Sequence, residues 1–252
     1  SMFLKERQNA IATMVKNNGR VAVADLAKQF NVTVDCIRKD LRQLESQGIL
    51  KRVYGGAISI AETPERTVYK RLNTYTAEKY LVATKAYDLI AAGDSIFLDI
   101  STTNLELARL LAAGQKRCVV VSNMMDSLQI MAENPALSVM CPGGTVSLDL
   151  NGFVGTLTIA NLEHFTFDKA FIGAIGIDLL TGAVSTFEMD DGMVKHAVLE
   201  NTNQAYLMAD SHKFDSRGNY NFATLNEFKG LITDSLSSKQ RKALDKFTVG
   251  LV

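Results

Sequence analysis

Cysteine and histidine are scarce in this 252-residue chain, three of each, and none is grouped. Cys36, Cys118 and Cys141 are odd in number, far apart and contain no CxxC pair. That argues against a disulfide framework or a zinc site and for a reducing compartment, expected to be cytoplasmic. His164, His196 and His212 show no ligand spacing to one another or to the cysteines, so neither a metal nor a cofactor is expected. No apolar run reaches the length of a bilayer span and the N-terminus does not read as a signal peptide, so no membrane partner is expected. Internal repeats and low-complexity tracts are lacking too. Net charge is also missing, with 27 Lys and Arg against 27 Asp and Glu.

The charge balance conceals a division. Residues 1–60 carry ten Lys and Arg against five Asp and Glu, a net +5, and the remainder carries −5. A basic head on an acidic body points to a polyanion partner for the head alone. A solvated face is the alternative, but the charges gather around one helix–hairpin unit. With 47% hydrophobic residues the chain has ample material for two packed domains.

In the head, Leu4, Ile11, Met14 and Val15 predict a helix over 3–16 with one buried stripe. Gly19-Arg20 breaks it. A short second helix over 23–30 follows, then a turn at Asn31-Val32. Thr33 is the expected N-cap of a third helix. Ile37, Leu41 and Leu44 face the core there, which turns Asp35, Arg38, Lys39 and Arg42 outward. Gly48 stops the helix, and residues 49–59 predict a two-stranded wing around Gly55-Gly56.

A basic helix followed at once by a basic hairpin fits the major groove of double-stranded DNA and its flanking phosphates. Thr33, Val34, Asp35, Arg38 and Lys39 lie at the start of the third helix, the part that enters the groove. Arg38 is suited to a bidentate contact with guanine. Arg42, Lys51 and Arg52 suit phosphates, and Tyr54 and Gly55 complete the expected DNA-contacting set. Asp40 reads as an intrahelical or helix–helix ion pair.

The polar stretch 60–75, with Glu62, Pro64, Glu65 and Arg66, reads as a linker between a DNA-binding domain over 1–59 and a body over 76–252. In the body, short apolar strands alternate with helices, predicting an α/β fold with a doubly wound parallel sheet. Small-polar or glycine-rich turns follow the strands at Asp99–Asn104, Ser122-Asn123, Pro142–Gly144, Gly173–Gly176 and Asp210–Lys213. Strand carboxyl ends line the ligand crevice of such a sheet. Ser101, Thr102 and Thr103 opening a helix suit a phosphate. Lys213 supplies a point charge, and Asp99, Asp178 and Asp210 suit sugar hydroxyls. Each turn taken alone is also an ordinary strand–helix connection.

Ile37-Arg38-Lys39-Asp40-Leu41, the later Gly48 and Lys51-Arg52-Val53-Tyr54-Gly55-Gly56-Ala57 resemble the N-terminal winged helix-turn-helix of the DeoR family of bacterial transcription regulators. Cys36 stands where that family usually has threonine, and Lys39 replaces its second arginine. The body resembles the family's C-terminal sensor domain through DISTT, SN, PGG, FIGAIGID and DSHKF. Ser101, Ser122 and His212 depart from the usual glycine, threonine and serine.

The resemblance implies a fold similar to ribose-phosphate isomerases and CoA-transferases. It implies a phosphorylated sugar or polyol effector that relieves repression of a carbohydrate operon. The effector residues expected are Asp99, Ser101, Thr102, Thr103, Ser122, Asn123, Gly143, Gly144, Gly173, Gly176, Asp178, Asp210 and Lys213, with Glu188 and Lys195 added from the family's pocket. A homo-oligomer, dimer or tetramer, is expected because one winged helix has a small footprint. Two other readings stand beside this one: a sugar-phosphate isomerase using Glu188 or Asp178 with Lys195, and a DNA-binding protein with no ligand.

Overall fold

A computed structural model describes residues 3–60 and 68–252. The chain divides into two compact units, Ser1–Thr63 and Pro64–Val252.

The first unit runs α1 (Leu4–Asn18), β1 (Arg20–Ala22), α2 (Val23–Phe30), α3 (Val34–Ser46), β2 (Leu50–Val53) and β3 (Gly56–Ser59). Ile11, Val15, Leu26, Ile37, Leu41, Leu44, Leu50 and Ala57 form its core. Each large aliphatic side chain buried there contributes about 1.5–3 kcal/mol. The wing has a third strand that the sequence pattern does not announce. β1 pairs antiparallel with β3, giving the order β1-β3-β2. Gly56 is glycine because an added Cβ would collide with the Val21 carbonyl of β1. The α1 stripe also differs from expectation. Leu4 is exposed and Gln8 is buried instead, because the Gln8 amide donates to Asp40 Oδ1 at 3.2 Å and Gln43 Oε1 at 2.9 Å.

The second unit runs α4 (Val68–Arg71), α5 (Thr76–Leu89), β4 (Ser95–Leu98), α6 (Thr102–Ala113), β5 (Cys118–Ser122), α7 (Met125–Ala132), β6 (Leu137–Met140), β7 (Thr145–Ser147) and β8 (Gly152–Val154). It continues through α8 (Thr156–Leu162), β9 (Phe167–Gly173), β10 (Gly176–Ile177), β11 (Ala183–Thr186), α9 (Met189–Glu200) and β12 (Thr202–Met208). β13 (Tyr220–Thr224), β14 (Gly230–Ile232), α10 (Ser238–Leu244) and β15 (Gly250–Leu251) complete it.

Seven strands make a parallel sheet in the order β15-β14-β12-β9-β4-β5-β6. Both faces are covered, as an all-parallel sheet requires. Ile96, Leu98, Val120, Phe171 and Met208 face one way, onto a core shared with α5 and α6. Phe97, Val121, Ala170, Ile172 and Leu207 face the other, onto a core shared with α8, α9 and α10. Strand order reverses between β4 and β9, so the topological switch point lies between their carboxyl ends. That is where open α/β sheets place ligands.

Two features lie outside the expected alternation. β10, β11 and β13 form a small antiparallel sheet, and β7 and β8 form a hairpin. The segment read as linker is also shorter than expected at its far end. Val68 is fully buried in the core of the second unit, its N–H donates to the Asp149 carbonyl at 3.0 Å, and α4 follows. Residues 61–67 of that span lie outside the described residues.

Candidate functional site

In the first unit, Thr33 Oγ1 accepts from the Cys36 N–H at 3.3 Å, capping α3. Ile37, Leu41 and Leu44 turn inward, which leaves Val34, Asp35, Arg38, Lys39 and Arg42 exposed. Asp40 is buried and receives Arg7 Nε at 2.6 Å, so the helix–helix pair is the one formed. Arg38 and Asp35 form an exposed pair at 3.3 Å. Such a pair is worth little in water and leaves Arg38 available to a base.

At the wing, Lys51 is exposed and Tyr54 stands wholly in solvent at the tip beside Gly55. Arg52 is less free than the sequence suggests. Its backbone N–H and its Nε donate to Glu45 at 2.9 and 2.6 Å. These bonds, the backbone one foremost, hold the Glu45 carboxyl below its usual range. A groove between α3 and the wing is lined by Arg38, Arg42, Arg52, Tyr54 and Gly55.

In the second unit, a crevice opens at the β4/β9 switch point. It gathers Ser101, Thr102, Thr103, Gly173, Glu188, Lys195 and Lys213. Ser101 Oγ accepts from the Asn104 N–H at 2.9 Å and caps α6. A Cβ on Gly173 would press on the Ser101 side chain, so a serine at 101 needs glycine at 173.

Asp99, expected at sugar hydroxyls, lies beneath the crevice and outside its lining. It is 1% exposed. It accepts from Asn104 Nδ2 at 2.5 Å, from the Gly173 N–H at 2.9 Å and from Lys195 Nζ. Asn104 Nδ2 also reaches the Phe171 carbonyl at 2.8 Å, so this cluster ties β4, α6 and β9 together. Burial pushes the Asp99 carboxyl up to about 6, opposed by the Lys195 ammonium against it. Burial penalises the Lys195 ammonium in turn, but Asp191, at 3.6 Å, and Asp99 more than offset this and raise its pKa.

Seven other residues expected at the effector do not line the crevice. Ser122 Oγ accepts from the Met124 N–H and Asn123 Nδ2 donates to the Phe153 carbonyl, fixing the β7–β8 hairpin. Gly143 and Gly144 form a turn whose carbonyl at 143 receives Thr158 Oγ1 at 2.6 Å. Gly176 sits in β10 against the Ser216 backbone. Asp178 caps its own turn, accepting from the Leu180 N–H and Thr181 Oγ1 at 2.8 and 2.9 Å, which lowers its pKa. Asp210 is also absent from the lining. It is fully buried and caps the turn over Ser211–Asp215 through the His212 N–H.

The crevice also contains residues outside the expected effector set. Asp191 accepts from Thr186 Oγ1 at 2.7 Å and lies one turn before Lys195, an i,i+4 spacing that signals the pair. Arg71, in the span read as linker, lines the crevice with Lys213. Lys79, behind them, donates to the Arg71 carbonyl at 2.9 Å. Burial, then the Lys213 charge, lowers the Lys79 pKa to about 8. Lys213 is lowered by burial and by Arg71, with Asp210 opposing. One end of the crevice therefore concentrates cations, while at the other Lys195 is matched by two carboxylates.

Among the described residues no group of His, Cys, Asp and Glu could hold a metal. No helix there is long and apolar enough to cross a membrane.

Residues 7–63 match the family model of the DeoR-like helix-turn-helix domain, and residues 74–235 that of the DeoR C terminal sensor domain. The chain is 32% identical over 246 residues to YulB, an uncharacterized HTH-type transcriptional regulator of Bacillus subtilis (strain 168), covering 97% of this chain and 94% of that protein. It is 28% identical to the glycerol-3-phosphate regulon repressor of Escherichia coli (strain K12), covering 91% and 90%. Among solved structures, ribose 5-phosphate isomerase A from Methanocaldococcus jannaschii matches at 16% identity and a TM-score of 0.41, covering 54% of this chain and 53% of that one. With both of its domain models matched along most of its length, this chain belongs to the DeoR family of DNA-binding transcription regulators.

Proposed function

We propose that the protein represses a carbohydrate-use operon and that a phosphorylated sugar or polyol in the switch-point crevice releases it from DNA. α3 enters the major groove with Val34, Asp35, Arg38 and Lys39, and Arg42, Lys51, Tyr54 and Gly55 meet the flanking backbone. The observation that carries the effector reading is the position of Lys213 and Arg71 in the same crevice as the start of α6 at Ser101–Thr103. Backbone N–H groups at a helix start and two cations together suit a phosphate dianion. Glu188 and Asp191 at the other end of the crevice offer acceptors for sugar hydroxyls. The glycerol-3-phosphate regulon repressor among its relatives supports the repressor half of the reading.

The isomerase alternative fares less well. Of its residues Glu188 lines the crevice but Asp178 stands outside it, and Lys195 is engaged by Asp99 and Asp191. We therefore read the crevice as a sensor. Release requires the effector to bind the DNA-competent arrangement less well than its alternative. A cytoplasmic homo-oligomer presenting paired heads completes the proposal.

The test is fluorescence anisotropy on an operator selected from random DNA, with sugar and polyol phosphates added in turn. At least one phosphate ester should lower operator affinity, and Lys213→Ala should need about ten-fold or more ester for the same release. Equal release by unphosphorylated sugars would contradict the phosphate assignment.

A further inference from the structure

The chain enters the second unit through residues that also form the crevice. Val68 seats the entering segment in the core. Three residues later Arg71 lines the crevice, and its carbonyl is held by Lys79 Nζ at 2.9 Å. The segment then turns at Tyr75, which has a φ of 53°. A left-handed backbone is costly for a bulky residue and persists where surroundings impose it. The Tyr75 ring stacks on His212, with centroids 3.4 Å apart and planes 11° from parallel. His212 precedes Lys213, and its Nδ1 lies 3.1 Å from Asp210 Oδ1. The entering segment thus touches the loop that carries Lys213 at one point and faces the same crevice as Lys213 at another.

Charge gives this arrangement its consequence. Arg71, Lys79 and Lys213 act on one another as like charges, and Asp210 is the acid acting on both lysines. The repulsions between Arg71 and the two lysines work against docking of the segment that carries Arg71. A dianion placed among them reverses the sign.

We propose that residues 68–75 form a strap whose docking is governed by the crevice: a phosphate group bound between Arg71 and Lys213 clamps the strap against the Asp210–Lys213 loop and so fixes where the chain enters the sensor domain. This rests on the phosphate reading above and adds a route by which occupancy is passed toward the head. Arg71 is the residue that joins the two roles. Tyr75 and His212 hold the strap in register, while Lys79 ties it from below. A ligand that binds only the docked strap, at ten times its dissociation constant, lowers the undocked population about ten-fold.

Amide hydrogen exchange on the full chain, with inorganic phosphate as the probe, tests this. In the wild type, phosphate should slow exchange at 101–104 and, by up to about ten-fold, at 68–75. In Arg71→Gln, protection at 101–104 should persist at higher phosphate while protection at 68–75 is lost; Arg71→Lys should restore part of it. His212→Ala should speed exchange around residue 75 without phosphate, yet keep protection at 101–104 with it. Protection at 101–104 with no change at 68–75 in the wild type would overturn the strap alone. Equal protection of 68–75 in Arg71→Gln and wild type would also overturn it. Protection at neither place would overturn the phosphate reading and the strap together.

Discussion

The two units use their signature residues in opposite ways. In the head, most of the signature faces solvent: Arg38, Lys39, Arg42 and Lys51 are exposed, and the core is built from the aliphatic residues between them. In the body, much of the signature turns inward. Asp99, Asn104, Ser122, Asn123 and Asp210 are buried and bonded to the framework. A surface that meets a rigid rod needs projecting side chains on one helix. A crevice at a sheet's switch point needs its strand ends locked, and the locking consumes the polar residues closest to hand. Asp40 is the head's exception, a signature residue that behaves like those of the body, since it is buried on Arg7 and Gln8.

The contrast can be broken most forcefully at Lys195. Lys195→Met leaves Asp99 and Asp191 buried without their cation, and stranding a buried charge costs about 3–5 kcal/mol. For a unit of this size that lowers the melting temperature by about 10 °C, measurable by calorimetry. Adding Asp99→Asn should recover part of the loss. If Lys195→Met melts like the wild type, the buried framework is not what holds the switch point.

Arg38→Ala with Lys39→Ala sharpens the other side of the contrast. Both side chains are exposed, so the melting temperature should hold while operator affinity falls by about 1–3 kcal/mol or more. Unchanged gel-shift affinity in this double variant would remove α3 from the interface. Asp40→Ala should reverse that pattern, destabilising the head through an unpaired Arg7 before any effect on bases is felt.

A smaller effect concerns pH. The Lys79 pKa is depressed to about 8. Between about 8 and its ordinary 10.5 the unfolded chain holds a proton that the folded chain lacks, so the contribution of this group to stability rises with pH through that window. Phosphate binding should move the other way. Affinity falls as pH rises through about 8 and the ammonium is lost, and calorimetric titration should show proton uptake on binding near that pH. Lys79→Met should flatten this dependence. The smallest effect is at the wing, where Lys51→Ala should reduce the salt slope of operator binding by about 0.9.

What was legible in the sequence follows the same contrast. The periodicity of Ile37, Leu41 and Leu44 placed the outward cations of α3, because one helix face determines the other. The apolar strand runs placed the parallel sheet and its carboxyl-end turns. Hydrogen-bond direction was not legible: nothing in DISTT says that Asp99 points down onto Gly173 and Lys195 rather than out to a ligand. Nor was the seating of Val68 and Arg71, since a polar span with Pro64 reads as linker until a single buried valine anchors its far end. The antiparallel β10-β11-β13 sheet escaped because its strands are short and its register is broken at Val184/Ser185.

The most direct test of the phosphate seat compares matched ligands by thermal unfolding of the full chain, glycerol 3-phosphate against glycerol and each further sugar phosphate against its free sugar. A phosphate ester at about 100 times its dissociation constant should add about 2.7 kcal/mol, a rise of about 5–10 °C in the sensor transition, with no rise from the free compound. Equal shifts from ester and free compound, or a shift undiminished in Lys213→Ala, would contradict it.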